Sequence, residues 1–168
     1  MRVSQILVAG MTLCFLAEPV IAKSAADLTG LPICSALKAM PQGYRPLECD
    51  VHSPLRGSCR FSLADGAGAV EYLMENGTIL DKRMRLKAGV QNKASFGIIR
   101  DDGRLAAARK ILTSTGLKTR YWTDSDDATT SYLQSTDVNC GPNKSYTIYV
   151  WFRNGRAESV SVSTLPVD

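Results

Sequence analysis

The sequence has few of the residues that build catalytic or metal sites. His52 is the only histidine in 168 residues, and it stands beside Asp50 and Ser53 in one extended run, where neighbouring side chains do not readily converge on a substrate. No two cysteines have the close two-residue spacing of a zinc site. The acidic run 124–127 lacks the glycine and the closing glutamate of a calcium-binding hand. We therefore expect no enzymatic activity, no metal site and no cofactor.

The sequence also lacks an apolar run long enough for a membrane span, which needs about 20 residues. The apolar stretch from Ile6 to Leu16 follows the charge of Arg2 and is interrupted soon afterwards by Glu18 and Pro19. A small-residue cleavage site, Val20-Ile21-Ala22, completes the pattern of a secretory signal. Residues 1–22 are therefore predicted to be a signal peptide. The mature chain is expected in the periplasm or outside the cell, without a stable membrane anchor.

Charge of one sign does not dominate. The formal net charge is +4, a mild basic balance that favours solubility and weak attraction to acidic partners. The densest charge run alternates in sign, which is typical of a solvated strand face. An exported protein also rarely meets nucleic acid, so we expect no nucleic-acid partner. The run consists of Asp81, Lys82, Arg83, Arg85 and Lys87.

Four cysteines follow the predicted signal peptide, and an even number in an exported chain favours two disulfides. The stripe of the first helical pattern places Cys34 beside its buried side, and Cys49 alternates with charged residues on the next predicted strand. This favours a Cys34–Cys49 bridge and leaves Cys59 to join Cys140. The rival pairing places Cys49 opposite Cys59 on neighbouring strands and joins Cys34 to Cys140.

The most informative feature of the sequence is an internal repeat. Residues 31–86 and residues 104–164 contain the same predicted elements in the same order. Each stretch begins with a helical pattern closed by glycine and ends with two apolar runs joined by Asn-Gly. The helical patterns are Ile33 to Met40 before Gly43, and Leu105 to Leu112 before Gly116, the second with Asp101 or Asp102 as a candidate cap. The Asn-Gly pairs are Asn76-Gly77 and Asn154-Gly155. The chain therefore divides into a signal peptide (1–22), a first repeat (23–86), a linker (87–95) and a second repeat (96–168).

Alternating runs between these markers predict four strands in each repeat. The fold class that follows is α+β: tandem α-β-β-β-β repeats that form one antiparallel sheet with both helices on one face and the other face open. The second helix is expected to bury Leu105, Ala108, Ile111 and Leu112. The predicted strands are 44–51, 58–63, 69–75 and 78–86, then 117–123, 130–136, 145–152 and 156–163.

This order of elements resembles the secreted β-lactamase inhibitory proteins and the small envelope domains that share their fold. The resemblance covers most of the mature chain, and includes Phe96-Gly97-Ile98-Ile99 ahead of a helix that ends in Ile111-Leu112-Thr113-Ser114-Thr115-Gly116. It implies a concave protein-binding sheet and disulfides inside each half. Cys140 is the only cysteine of the second half, so at least one bridge departs from that pattern.

Seven of the twelve aromatic residues lie between Tyr121 and Phe152. Because side chains alternate along a strand, Tyr149 and Trp151 point away from Ile148, Val150 and Phe152. A two-residue Asn-Gly loop places Trp151 opposite Glu158, and a three-residue loop places it opposite Ala157. The interpretation we favour is an exposed protein-binding face, and its rivals are a buried aromatic core and a carbohydrate-stacking face. The candidate binding residues are Lys118, Arg120, Trp122, Tyr132, Gln134, Tyr149 and Trp151.

These observations predict an exported protein-binding module that engages another protein across the open sheet, as an enzyme inhibitor or an immunity factor. The alternative is a structural or assembly accessory of the cell envelope that docks through the same surface. The sequence does not identify the partner.

Overall fold

The computed structural model describes residue 31 and residues 33–65, 68–124 and 127–166. The predicted signal peptide, residues 1–22, lies outside the described residues. Among the described residues, no helix is long and apolar enough to cross a membrane.

Nine strands, β1 to β9, make up the sheet in the part of the chain that the structure describes. Eight of them lie where the alternating runs predicted strands, and their ends agree to within three residues. The ninth strand, β7, occupies residues between the predicted strands of the second repeat. The strands are β1 (Arg45–Glu48), β2 (Ser58–Asp65), β3 (Gly68–Glu75), β4 (Thr78–Arg85), β5 (Thr119–Thr123), β6 (Thr130–Ser135), β7 (Val138–Gly141), β8 (Lys144–Arg153) and β9 (Arg156–Ser163).

The strands pair in the order β1-β2-β3-β4-β9-β8-β6-β5, and β7 pairs with β8 outside this path. Every pairing is antiparallel. Each half of the chain contributes a four-stranded meander, and the last strands of the two meanders, β4 and β9, meet at the centre. The sequence prediction of an antiparallel sheet is confirmed.

The two Asn-Gly hairpins have the same geometry. Asn76 and Gly77 both have positive φ, 45° and 78°, as do Asn154 and Gly155, with 51° and 73°. Two-residue loops of this kind match the twist of the strands that they join. In each hairpin the two residue pairs next to the turn are regular, and a bulge follows them. Because of the bulge, Leu73 faces Asp81 and Trp151 faces Ser159. Both registers predicted for Trp151 were wrong, because neither included the bulge.

The predicted α+β class with two helices on one face was wrong, because the fold is predominantly β. Residues 33–40 form turns in place of the first helix, with Cys34 at φ 65°. Their backbone bonds to the β3–β4 hairpin: Cys34 N–H donates to Ile79 at 3.2 Å and Leu37 N–H to Gly77 at 2.8 Å. A helix of eight residues is marginal by itself, so these tertiary hydrogen bonds prevail.

One α-helix, α1 (Arg104–Thr115), is present in the part of the chain that the structure describes, together with a short 3-10 turn at Lys93–Ser95. Gly116 closes α1 as predicted, with φ 76° and its N–H bonded to Leu112. The predicted buried stripe was wrong in part, since α1 buries Ala107 and Ile111 and leaves Leu105 and Leu112 70% and 52% exposed. Neither candidate aspartate caps the helix. Gly103 is the N-cap, and the Asp102 carboxylate instead accepts a hydrogen bond from the Lys110 ammonium at 2.6 Å.

The core lies on the face of the sheet that α1 covers, here called the inner face. The helix packs near β5, β6 and β9, and the rest of the inner face is covered by connecting segments at 33–44, 49–57 and 86–99. Burial of this apolar surface stabilises the fold at about 25 cal/mol per Å². Its fully buried side chains include Phe61, Tyr72, Met74, Ile79, Ile148, Val150, Phe152, Val160 and Val162.

Disulfides join Cys34 to Cys140 and Cys49 to Cys59. The favoured pairing, Cys34 with Cys49, was therefore wrong, and the rival pairing is present. Residues 49 and 59 flank the β1–β2 turn with Cα atoms 4.2 Å apart, whereas Cys34 bonds through its backbone to Ile79 of β4 and has its Cα 6.3 Å from that of Cys140 in β7. The first helix, on which the favoured pairing rested, does not form.

Peptide mapping without reduction is expected to recover Cys34–Cys140 and Cys49–Cys59 and no free thiol. Removing the first bridge with Cys34→Ser and Cys140→Ser should lower the free energy of unfolding by about 5 kcal/mol, because it closes a loop of 106 residues. Removing the second, which spans 10 residues, should cost about 3 kcal/mol. Denaturant unfolding of the two double variants checks the order, and a larger loss from the short loop would contradict it.

Candidate functional site

The strand register brings the predicted binding residues onto one face of the sheet, opposite α1. Trp122 faces Tyr132, which in turn faces Trp151 across β5, β6 and β8. One step along, Arg120 faces Gln134 and Gln134 faces Tyr149. Lys118 precedes β5 with the same parity as Arg120. We call this surface the outer face, and its four aromatic residues, Trp122, Tyr132, Tyr149 and Trp151, the aromatic band.

Three rings of the aromatic band are in mutual contact. The ring centroids of Tyr132 and Trp151 lie 5.1 Å apart, those of Tyr132 and Tyr149 6.0 Å, and those of Tyr149 and Trp151 6.4 Å. The rings are tilted or edge-on to one another, which is favourable for aromatic quadrupoles. Each of the three rings therefore packs against the other two without any ligand.

The solvent exposure of the aromatic band decreases from the edge of the sheet towards its centre. Trp122, at the edge of the sheet, is 45% exposed, Tyr132 and Trp151 are half-buried, and Tyr149 is only 3% exposed. Burial raises the pKa of the Tyr149 hydroxyl, and a hydrogen bond with Thr147 partly offsets this. Tyr149 thus forms the floor of the band, and the other three rings present the accessible surface.

A row of small residues on β9 supports the aromatic band. Ser159, Ser161 and Ser163 alternate along the strand on the outer face, and all three are buried. The indole Nε1 of Trp151 donates to Ser161 Oγ at 3.4 Å. Larger side chains at these positions would lift the indole away from the sheet. Sequence reasoning missed this row, although its Ser-x-Ser-x-Ser spacing is visible in the sequence.

The band ends at a charged groove of about 470 Å³ that crosses the centre of the sheet. The Arg83 guanidinium carbon lies 5.8 Å from the Trp151 ring centroid, within reach of a cation–π interaction. On the far wall, Arg60 pairs with Glu71 at 3.8 Å. Acidic, basic and aromatic groups therefore meet in one concave site.

Asp81 stands at the base of this groove. Burial raises the pKa of its carboxyl, while Arg83 and a hydrogen bond with Ser163 act in the opposite direction. Arg83 and Ser163 therefore offset only part of the effect of burial on the Asp81 carboxylate. The interpretation of the surrounding charge run as a solvated face was wrong for Lys82, which is fully buried on the inner face opposite Tyr72.

The aromatic band has no counterpart in the first meander. The shared hairpin geometry makes Leu73 the equivalent of Trp151, and Glu71 the equivalent of Tyr149. The backbone is repeated while the outer-face chemistry is not. The aromatic side chains therefore do not follow from the architecture, since the equivalent strands form the same sheet without them.

The described residues considered for catalysis and calcium lie in the turns and loops between strands. His52 is exposed in the β1–β2 turn, where its backbone N–H donates to Asp50 Oδ1 at 2.8 Å. The carboxylate of Asp127 accepts from Thr129 and Thr130, and these hydrogen bonds lower its pKa to about 2. Residues 125–126 of the acidic run lie outside the described residues. Within the described part, no group of three or more histidine, cysteine or acidic side chains is arranged to hold a metal.

No protein-family model, no curated protein and no solved structure matches the chain. The resemblance to the β-lactamase inhibitory proteins stays a prediction about the order of elements.

Replacing Asp81 with asparagine is expected to raise the free energy of unfolding at pH 7. Because the pKa of Asp81 is raised in the folded state, the folded protein holds the proton more tightly than the unfolded chain does. Ionising Asp81 therefore lowers the free energy of unfolding as the pH rises above 3.8, the usual pKa of an aspartate. Asparagine removes the charge and keeps an acceptor for Ser163.

Denaturant unfolding at pH 4 and pH 7 measures this difference, which should shrink as the pH falls. The control is Asp101→Asn at an exposed carboxylate that pairs with Arg156. A loss of stability in Asp81→Asn that is equal at both pH values would contradict the prediction.

Proposed function

We propose that this chain is an exported protein-binding module that engages another protein through the outer face. The observation that carries the proposal is the aromatic band, which lies opposite the core, is partly exposed and has no equivalent in the first meander. Large aromatic side chains on a concave surface with arginines at hand are the composition of protein-interface hot spots.

Rigidity of the site supports the same proposal. Ring contacts fix Tyr132, Tyr149 and Trp151, and Ser161 anchors the indole. Side chains ordered before binding lose less conformational entropy when a partner arrives. The groove beside them, with Arg83 and Asp81 at its base, offers a pocket for one side chain of the partner.

Export is supported by two independent features. Two disulfides are typical of proteins in oxidising compartments such as the periplasm or the extracellular space. The first 22 residues carry the charge, apolar core and small-residue site of a secretory signal. The proposal combines them into a periplasmic or secreted protein.

Within this proposal, an enzyme inhibitor or immunity factor is the leading role. It rests on the predicted resemblance to the inhibitory proteins and on the groove in the outer face. An envelope accessory that docks through the same face is the alternative. A carbohydrate ligand would use the same exposed rings, but the charged groove beside them favours a protein.

Affinity capture separates these roles. The disulfide-bonded protein is immobilised and exposed in parallel to an envelope extract of the exporting cell and to a mixture of enzymes secreted by competing cells. Specific retention of a foreign enzyme supports the inhibitor role, and retention of an envelope protein supports the accessory role. Retention that depends only on added polysaccharide would overturn the protein-binding proposal.

Truncating Trp122 is expected to weaken capture without unfolding the protein. Because the side chain is 45% exposed, Trp122→Ala should change the free energy of unfolding by no more than about 1 kcal/mol. Binding should weaken by about 2 kcal/mol or more if the residue is an anchor. Leu47→Ala is the matched control, since Leu47 is 47% exposed and lies on β1 at the opposite end of the sheet.

Truncating Trp151 should lower both the folding stability and the affinity for the partner. Its indole is half-buried between Tyr132, Arg83 and Ser161, so Trp151→Ala is expected to lower the free energy of unfolding by about 2 kcal/mol, below the range for a fully buried aromatic residue. Thermal and denaturant unfolding measure the stability, and titration with the captured partner measures affinity. Unchanged affinity in both tryptophan variants would exclude the outer face as the binding surface.

A further inference from the structure

Among the residues that the structure describes, β5 is an edge strand whose outer side has no strand beside it. β5 pairs with β6 on one side, and it is the last strand of the sheet among those that the structure describes. Asp124 N–H donates to Thr130, and Thr136 N–H donates to Lys118, so the even-numbered residues bond towards β6. By the alternation of an antiparallel ladder, the backbone groups of Thr119, Tyr121 and Thr123 point outwards.

The strands at the two ends of the pairing order, β1 and β5, differ in their regularity. β1 is four residues long and carries Pro46 and a register irregularity before Glu48, which are common defences against edge pairing. β5 has neither a proline nor a recorded bulge against β6. An edge strand without a proline or a bulge presents a regular row of backbone groups with which an additional strand can pair.

Exposed apolar side chains concentrate around the same edge. The described residues include eight exposed large hydrophobic side chains, and four of them lie on α1 or β5. Tyr121 and Leu105 stand on the inner side of the edge, and Trp122 stands on its outer side. A strand added here would have apolar partners on both faces.

The charges at this edge are complementary to a second copy of themselves. Lys118 and Arg120 occupy the N-terminal end of β5, and Asp124 follows its C-terminal end. Two copies paired antiparallel around Tyr121 place Lys118 opposite Asp124 of the other copy and Arg120 opposite its Trp122. The first contact pairs opposite charges, and the second pairs a guanidinium with an indole. This register also pairs the outward backbone groups, 119 with 123 and 121 with 121.

We propose that the protein forms a symmetric dimer in which β5 of one copy pairs antiparallel with β5 of the other. The interface is self-complementary, as a two-fold dimer requires. The sheet becomes continuous across both copies, and the two aromatic bands adjoin at Trp122. This proposal stands independently of the partner-binding proposal.

The oligomeric state tests it directly. Sedimentation equilibrium of the disulfide-bonded protein over a range of concentrations is expected to show a monomer–dimer equilibrium. Amide exchange at residues 119, 121 and 123 should slow as the concentration rises. A monomer throughout the range, or protection of these amides that is independent of concentration, would overturn the proposal.

A charge exchange tests the register. Lys118→Glu and Asp124→Lys should each weaken dimerisation by roughly tenfold, because the two-fold axis repeats the unfavourable contact. The double variant restores the opposite charges and should recover the dimer. Failure of the double variant to dimerise, in a protein with native unfolding behaviour, would overturn this register.

A proline substitution tests whether the dimer needs the outward backbone hydrogen bonds of β5 as well as the charges. Thr123→Pro removes an N–H that points away from β6 and should abolish the dimer while the monomer stays folded. Thr123→Val keeps the N–H and is the matched control. Dimerisation of Thr123→Pro at the affinity of the control would overturn edge pairing.

Discussion

The pairing of β4 with β9 is the contact on which the rest of the structure depends. It is the strand pairing that joins the two meanders, and it runs over five residue pairs centred on Arg83 and Ser161. At either end the bulged hairpins extend it: Leu86 N–H donates to Glu158 at 2.9 Å, and Thr164 N–H donates to Leu80 at 2.8 Å. These two hydrogen bonds are equivalent in the two halves, so the junction is close to two-fold symmetric in its backbone. A slip by one residue would turn Val160 and Val162 to the outer face and Ser161 to the core, which strongly specifies the register.

A symmetric backbone with asymmetric side chains explains how the site arises at the junction. The register sets Arg83, from the first half, beside Trp151, from the second half. Neither half contains the groove alone, because its charged wall comes from β2, β3 and β4 and its aromatic wall from β8. The Cys34–Cys140 bridge crosses between the halves at another place and limits their separation. Fold stability and site geometry therefore depend on the same junction.

The outer face also shows how the fold holds rings partly exposed yet ordered. Buried serines on β9 leave room for the indole and supply its hydrogen-bond acceptor, and Tyr149 contacts the Tyr132 ring edge-on. The resulting surface combines preorganised rings with a carboxylate whose ionised form is disfavoured by burial. A partner that covers the rings and supplies a cation to the carboxylate would gain binding energy at this surface. This gain is the physical basis of the proposed binding function.

The sequence by itself determined eight of the nine described strands, the glycine stop of α1, both Asn-Gly hairpins and the shared parity of Tyr149 with Trp151. These features follow from neighbours a few residues apart, where alternation and turn chemistry act. Tertiary structure decided the fate of residues 33–40, because hydrogen bonds to Ile79 and Gly77 replaced those of a marginal helix. It decided the disulfide pairing as well, since bridge formation depends on distances between segments up to 106 residues apart. The face that carries Trp151, the supporting serines and the burial of Lys82 depend on the β4–β9 register, a contact between distant strands that no local pattern records.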